Sequence, residues 1–162
     1  MKKNTIKILI IVAVFLLQAP MTMADSNLEL NADVISKAAG TLATLGPDDV
    51  VRIGWQREDV PVMVDGVKLP TAAGLGSWAA LKAVTGGGVM LMGDTVVFED
   101  EITPAMDAAF ANGLEITALH NHFVFDSPPA YFMHVGGHGK SAEKLALGIK
   151  AMWDAIKEVR NE

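Results

Sequence analysis

All four histidines of the 162-residue chain lie within nineteen consecutive positions: His120, His122, His134 and His138. Imidazole nitrogens are frequent protein ligands of zinc, copper, iron and nickel, so this clustering indicates a metal site. Two other interpretations are a metal-free polar or catalytic site, and ordinary histidines without a common role. The His-x-His spacing of the first two, which suits a single ion, favours metal binding.

The surrounding residues predict a β-hairpin that brings three of these side chains together. A strand over Leu114–Phe125, the turn sequence DSPP and a second strand AYFMHV follow one another. Because side chains alternate between the faces of a strand, His120 and His122 point the same way. With the turn centred near Ser127, His134 lies opposite His120, and a register shift of two residues places it near His122 instead.

The fourth coordination position has several candidate ligands. His138 follows two glycines, where the chain can bend back, and we include it with the other three histidines as a predicted metal ligand. Three histidines alone would leave an open position, as in catalytic zinc sites. Glu99, Glu101 and Asp126 are the nearest carboxylates in sequence. If the protein is a hydrolase, we predict Glu101 as the general base for a metal-bound water, although an acidic run before a helix has an equally good structural explanation.

The ligand types narrow the choice of cofactor. The chain contains no cysteine, which excludes thiolate metal sites, iron–sulfur clusters and a cysteine nucleophile. Neutral imidazole suits divalent transition metals, and we predict zinc first, with copper or iron as alternatives.

The elements that must position these residues indicate an α+β domain. Apolar periodicity predicts about three helices and six or seven short strands, joined largely as hairpins, so an antiparallel sheet with helices packed on it is expected. A loop leading into a short helix or strand is expected over TAAGLGSWAALKAV. The predicted helices begin at Asn31, Thr103 and Ser141, the first ending at Gly46, and the predicted hairpin turns are Asp65-Gly66 and Gly93-Asp94.

The first 24 residues resemble a secretory signal peptide. Three lysines precede an apolar run of about a dozen residues, which is too short for a comfortable membrane span, and small residues follow. We predict cleavage after Ala24, a periplasmic or secreted location, and a single domain over residues 25–162 without a stable membrane span. A retained N-terminal anchor is the alternative.

Charge limits the class of partner. All 19 acidic residues but only 10 of the 13 basic residues lie after Ala24, which gives the predicted mature chain a net charge of about −9. Without a basic patch to neutralise phosphates, nucleic acid is not expected as a partner. A small-molecule or cell-envelope ligand is compatible with this charge, and the oligomeric state is left open.

Three stretches resemble a known family: DVPVMVDGVKLPTAAGLGSWAALKA, GDTVVFEDEITPAMDAAFANGLEITALHNHF and FMHVGGHG. They resemble the LppY/LpqO-type domain-of-unknown-function family of bacterial exported proteins, over roughly residues 31–158. The family's H-N-H pair matches His120, Asn121 and His122, and its later histidine matches His134. The resemblance implies export and a histidine site, and it supplies no reaction.

These observations support three functional hypotheses. The first is an exported protein that binds a transition metal and acts as a metal-dependent hydrolase on a small or envelope substrate. The second is a non-catalytic module that binds peptidoglycan or glycan, for which Trp55, Trp78 and Tyr131 would form an exposed stacking platform. The third is a periplasmic metal carrier that uses the same histidines.

Overall fold

A computed structural model describes residues 29–161 of the protein. It contains three α-helices and two antiparallel sheets, which confirms the predicted α+β class. The predicted signal peptide, residues 1–24, lies outside the described residues. Within residues 29–161, no helix is both long enough and apolar enough to cross a membrane.

The strands form one large and one small sheet. The six-stranded sheet has the order β1-β2-β5-β6-β9-β7, and the three-stranded sheet has the order β4-β3-β8. The helices are α1 (Ala32–Ala39), α2 (Ile102–Ala111) and α3 (Ala142–Asn161). The strands are β1 (Ala43–Leu45), β2 (Val50–Gln56), β3 (Met63–Val64), β4 (Val67–Lys68), β5 (Gly76–Val84), β6 (Gly88–Phe98), β7 (Glu115–Asn121), β8 (Asp126–Ser127) and β9 (Ala130–Gly139).

One face of the large sheet, the helix face, packs against the three helices. Alternate residues of β6 and β9, among them Leu91 and Met133, are buried there against α3. The apolar stripe predicted for α3 supplies Ile149 and Trp153 to the same core, and Trp153 Nε1 donates a hydrogen bond to Thr95 Oγ1 at 3.0 Å. Burial of this stripe is the main source of helix stability, because isolated helices are marginal in water.

The opposite face of the large sheet, called the outer face here, is covered along only part of its length. Val96 and Phe132 point to this face and pack under Val62 and Leu75 of the segment that carries the small sheet. Farther along β6, Met92 is 58% exposed. The central strands therefore keep an uncovered area on the outer face, beside the small sheet.

The first predicted helix is shorter than expected. Asn31 caps α1 as predicted, with its side chain accepting hydrogen bonds from the backbone N–H groups of Asp33 and Val34. The helix ends at Gly40, which has φ +68° and donates to the Ser36 carbonyl, so the predicted continuation to Gly46 was wrong. Glycine adopts this left-handed conformation without steric cost, and the following residues form β1 instead.

The predicted hairpin turn at Gly93-Asp94 was also wrong. β6 runs through both residues without interruption and pairs with β5 on one side and β9 on the other. A Cβ atom at Gly93 would lie 2.7 Å from the carbonyl oxygen of Trp78, so this glycine permits close approach of two strands. The turn between β5 and β6 lies at Gly86 and Gly87, which both have positive φ.

Other local predictions have mixed outcomes. The Asp65-Gly66 hairpin is confirmed, with both residues at positive φ between β3 and β4, as a type I′ turn requires. The helix predicted from Ser141 is confirmed as α3. The start predicted with Thr103 as the cap was wrong by two residues, because α2 begins at Ile102 and continues from a 3-10 turn over Glu99–Glu101.

Candidate metal centre

A β-bulge at Thr117 determines which face of the sheet carries the histidine pair. Before the bulge, Ile116 lies opposite Val135, and both pack toward the helices. After it, the next residue of β7 lies opposite His134, which points to the outer face. One extra residue thus transfers the following even-numbered positions, including His120, from the helix face to the outer face.

The hairpin pairing of β7 with β9 is confirmed, but its register differs from the predicted one. His120 lies opposite Phe132, and His134 lies opposite Ala118, a shift of two residues from the expected His120–His134 pair. A shift by an even number keeps every side chain on its face. His120 and His134 are therefore diagonal neighbours on the outer face, close enough for their rings to meet.

The structure brings three of the four histidines together. The Nε2 atoms of His120 and His134 lie 2.8 Å apart. The ring centroid of His120 lies 4.9 Å from that of His134 and 5.0 Å from that of His122. One ligand nitrogen from each of the three rings lies within 4.8 Å of the other two. This group could hold a metal ion.

The nitrogens of His120 and His134 fit a metal site after a small adjustment. At 2.8 Å, one of the rings of His120 and His134 donates a hydrogen bond to the other. Zinc binds imidazole nitrogen at about 2.0–2.1 Å, so two nitrogens in tetrahedral geometry lie about 3.3 Å apart. The two rings would need to separate by about half an ångström, which the exposed side chain of His120 near the end of β7 can accommodate.

His122 is held by an aromatic stack. Its ring lies nearly parallel to that of Phe132, with 3.4 Å between centroids. Desolvation lowers the pKa of His122, the charges of His120 and His134 act in the same direction, and only the carboxylate of Asp94 opposes them. A lowered pKa favours the neutral imidazole, which is the form that binds metals.

His138 lies outside this group. It follows His134 by four residues on the same strand, about 13 Å away, and is opposite Met90. The bend predicted at the two preceding glycines was wrong, because β9 continues to its end at Gly139. A Cβ atom at Gly137 would lie 2.9 Å from Leu114 Cδ2, so packing explains this glycine.

Glu101 is buried in an ion pair and is not part of the histidine group. Its two carboxylate oxygens each accept a hydrogen bond from Arg57 at 2.7 Å, and one also accepts from the Phe98 backbone N–H at 2.8 Å. Arg160 lies against the same carboxylate as an ion pair, without a hydrogen bond from its Nε. The catalytic role of Glu101 stays a prediction, while its contacts have a structural explanation.

The other two predicted carboxylates also lie outside the group. Glu99 is exposed on the 3-10 turn that precedes α2. Asp126 is in β8, where its carboxylate accepts a hydrogen bond from the Ala130 backbone N–H at 2.8 Å. Neither belongs to the three-histidine group that the described residues form.

Asp94 is the residue of this region that the sequence reasoning missed. It lies on β6 directly opposite His134 in the ladder with β9, and both side chains point to the outer face. It is 8% exposed, and its Oδ1 atom is buried without a hydrogen-bond partner among the described residues. Assigning Asp94 to a turn hid the available signal, which is a single acidic residue within an otherwise apolar strand.

The aromatic residues considered for a glycan platform do not share a surface. Trp55 packs into the helix-face core with its ring centroid 5.9 Å from that of Trp153, and Tyr131 also packs against that core. Trp78 lies opposite Asp94 in the β5–β6 ladder, on the outer face. A platform built from Trp55, Trp78 and Tyr131 would require one common exposed face, which this arrangement lacks.

Residues 33–155 match the family model described as Domain of Unknown Function (DUF1259). The match covers most of the chain, which therefore belongs to this family. The LppY/LpqO-type attribution stays a resemblance. No curated protein and no solved structure matches the chain significantly.

Proposed function

We propose that the protein binds a divalent transition-metal ion through His120, His122 and His134. The observation that carries this proposal is the convergence of one nitrogen from each ring within 4.8 Å, on a face that the helices do not cover. Neutral imidazole is the ligand type that such ions require, and rotation of the side chains would bring the nitrogens from within 4.8 Å to the separation of about 3.3 Å in a tetrahedral site. Zinc is the first choice of ion, and copper and iron are the alternatives that metal analysis would distinguish.

Three protein ligands would leave a coordination position on a bound ion for water. His120 and His122 are exposed, so a small molecule has access to an ion held between the rings. A zinc ion lowers the pKa of bound water toward neutrality and thereby produces a nucleophile. We propose metal-dependent hydrolysis of a small or envelope-derived substrate in the periplasm or outside the cell. The predicted N-terminal signal peptide supports this location.

Two other functions have less support. A glycan-binding module would use exposed aromatic residues, and Trp55 and Tyr131 pack toward the helix-face core. A metal carrier would use the same three histidines, so the metal group alone does not separate it from a hydrolase. The exposure of His120 and His122 favours the hydrolase, because a closed and buried set of ligands would leave no room for substrate.

Metal titration tests the binding proposal. Zinc, copper and iron(II) would each be titrated into chelator-treated protein, in competition with a chromophoric chelator. We expect a single ion per wild-type chain, a loss of binding in His120→Ala and His134→Ala, and unchanged binding in His138→Ala as the matched control. Equal affinity in all four proteins, or no binding by the wild type, would overturn the proposal.

The hydrolytic step needs a separate assay. Metal-loaded protein would be supplied with activated carboxylate esters, phosphate esters and glycosides, before and after chelation. Turnover that disappears on chelation and returns with the ion supports the hydrolase. Stoichiometric metal without turnover, together with rapid release of the ion to a competing chelator, would replace it with the carrier.

A further inference from the structure

Asp94 occupies a central position on the outer face beside the histidines. In the β6–β9 ladder it lies opposite His134, and in the β5–β6 ladder it lies opposite Trp78. Side chains opposite one another in an antiparallel pair have Cβ atoms about 4.5–5.5 Å apart. The Asp94 carboxylate is thus held next to His134 by the two strands that flank it.

The surroundings of Asp94 leave its charge uncompensated. The residue is more than nine-tenths buried, and Oδ1 has no hydrogen-bond partner among the described residues. Among residues 29–161, no lysine, arginine or histidine forms a salt bridge with it. A buried carboxylate without a partner is costly and rare in native proteins, and binding a cation would offset this cost.

The histidine group lacks the negative charge that Asp94 carries. Three neutral imidazoles carry no negative charge, so an ion bound by them alone would keep its full double charge at the edge of an apolar sheet face. Asp94 lies directly opposite His134 in the β6–β9 ladder, so its carboxylate is close enough to act on an ion held by this group. The unpaired anion and the uncharged set of ligands therefore lie side by side.

We propose that Asp94 is the anionic member of the metal centre, where its unpartnered carboxylate offsets the charge of the ion held by His120, His122 and His134. This inference rests on the proposed metal binding. It assigns Asp94 to charge compensation from the β6 side of the site, outside the group of three ligand nitrogens, and predicts that the centre holds a divalent cation more tightly than three imidazoles alone would. Outer partners of this kind typically change metal affinity by about 10–100-fold.

The test compares wild type with Asp94→Asn and the more compact neutral variant Asp94→Ser. Asp107→Asn, which removes an exposed acidic residue from α2 on the far side of the sheet, is the charge-matched control. Zinc affinity would be measured by chelator competition at neutral pH, and the melting temperature with and without zinc. We expect both Asp94 variants to retain one site with affinity lowered about 10–100-fold, and the control to match wild type.

A second readout separates this role from a structural one. If Asp94 compensates a cation, removing its charge leaves the melting temperature of the metal-free protein equal or higher, and zinc raises that temperature less than in wild type. Unchanged zinc affinity in both variants, or a lower metal-free melting temperature with an unchanged zinc-induced rise, would overturn the inference. Absence of zinc binding in wild type itself would instead refute the proposed function, and the inference with it.

Discussion

Two buried carboxylates, Asp94 and Glu101, lie seven residues apart, one within β6 and the other just after it. Glu101 is fully enclosed, with hydrogen bonds from Arg57 to both oxygens and from a backbone N–H to one. Asp94 has a buried oxygen without a partner among the described residues and lies opposite His134. The carboxylate of Glu101 thus has its hydrogen-bond partners within the chain, whereas that of Asp94 lacks a partner for one oxygen.

The difference separates a structural site from a candidate functional site. The guanidinium of Arg57 is completely buried, donates to Glu101, Asp59 and the Val96 carbonyl, and lies over the rings of Trp55 and Phe98. Such a network uses its hydrogen-bonding capacity internally and has little left for a ligand. Asp94 and the histidines can still bind a ligand, and they lie on the outer face of the large sheet, which is partly uncovered. Unsatisfied buried polar groups are rare in native proteins, so the one at Asp94 calls for a functional explanation.

The largest loss of folding stability is expected when the buried ion pair of Arg57 with Glu101 is broken. Glu101→Ala leaves the guanidinium of Arg57 buried without its main counter-ion, and breaking one partner of a buried pair costs about 3–5 kcal/mol. Urea unfolding of the metal-free protein would measure this loss. A change below about 1 kcal/mol, within the range of exposed pairs, would show that the network is not structural.

The next effect is expected on metal affinity alone. His120→Ala removes a ligand whose side chain is exposed, so we expect zinc affinity to fall by more than the roughly 100-fold that outer partners cost. Unfolding of the metal-free variant should change by no more than about 0.5 kcal/mol, as for other surface substitutions. Paired zinc titration and urea unfolding would measure both. A large loss of metal-free stability with unchanged zinc affinity would mean that His120 is a structural residue and not a metal ligand.

Amide substitutions compare the two carboxylates directly. Glu101→Gln replaces charge-assisted hydrogen bonds by weaker ones, and we expect a loss of about 1.5–3 kcal/mol in the metal-free protein. Asp94→Asn removes a buried charge that has no partner among the described residues, so its metal-free stability should stay equal or rise. A loss of stability in Glu101→Gln without a loss in Asp94→Asn, measured in parallel urea titrations, supports the distinction. Equal losses would mean that Asp94 has a structural partner.

The smallest change in folding stability is expected at Asp59, the partly exposed partner of Arg57. Burial would raise the pKa of Asp59, but the hydrogen bonds and charge of Arg57 outweigh it and hold this pKa below its ordinary value of 3.8. A lowered folded-state pKa contributes stability above the unfolded value, and this stability is lost as the pH falls through the folded value. Because Asp59 is partly exposed, we expect about 0.2–1 kcal/mol.

The difference in unfolding free energy between wild type and Asp59→Asn measures this contribution. It should be present at about pH 6 and shrink below about pH 4, where the unfolded chain takes up the proton first. A difference that grows toward acid would contradict the direction of the pKa shift.

The sequence predicted those parts of the fold that depend on interactions between residues close together in the chain. Asp65-Gly66 marks its hairpin because a type I′ turn needs positive φ at both residues. The apolar stripe of α3 and the alternation around His120 and His122 were also readable without partners. The register of the hairpin differs from the predicted one by two residues, and a shift by an even number leaves every side chain on its face. The three histidines therefore stay on a common face.

The remaining features depend on contacts between distant segments. Gly93 resembles a turn residue, and its real function is the close approach of β5, which the sequence does not display. The bulge at Thr117 follows from pairing with β9 and has no recognisable sequence signal. Asp94 becomes a site residue only because β6 and β9 are neighbours. The ion pair of Glu101 with Arg57, 44 residues away, was equally hidden.

The metal content of the purified protein shows whether His120, His122 and His134 hold an ion. Protein purified from its native cells without chelators would be analysed by element-resolved mass spectrometry, beside His134→Ala prepared in the same way. We expect a single transition-metal ion per wild-type chain and essentially none in the variant. No stoichiometric metal in wild type, or the same metal content in both proteins, would contradict it.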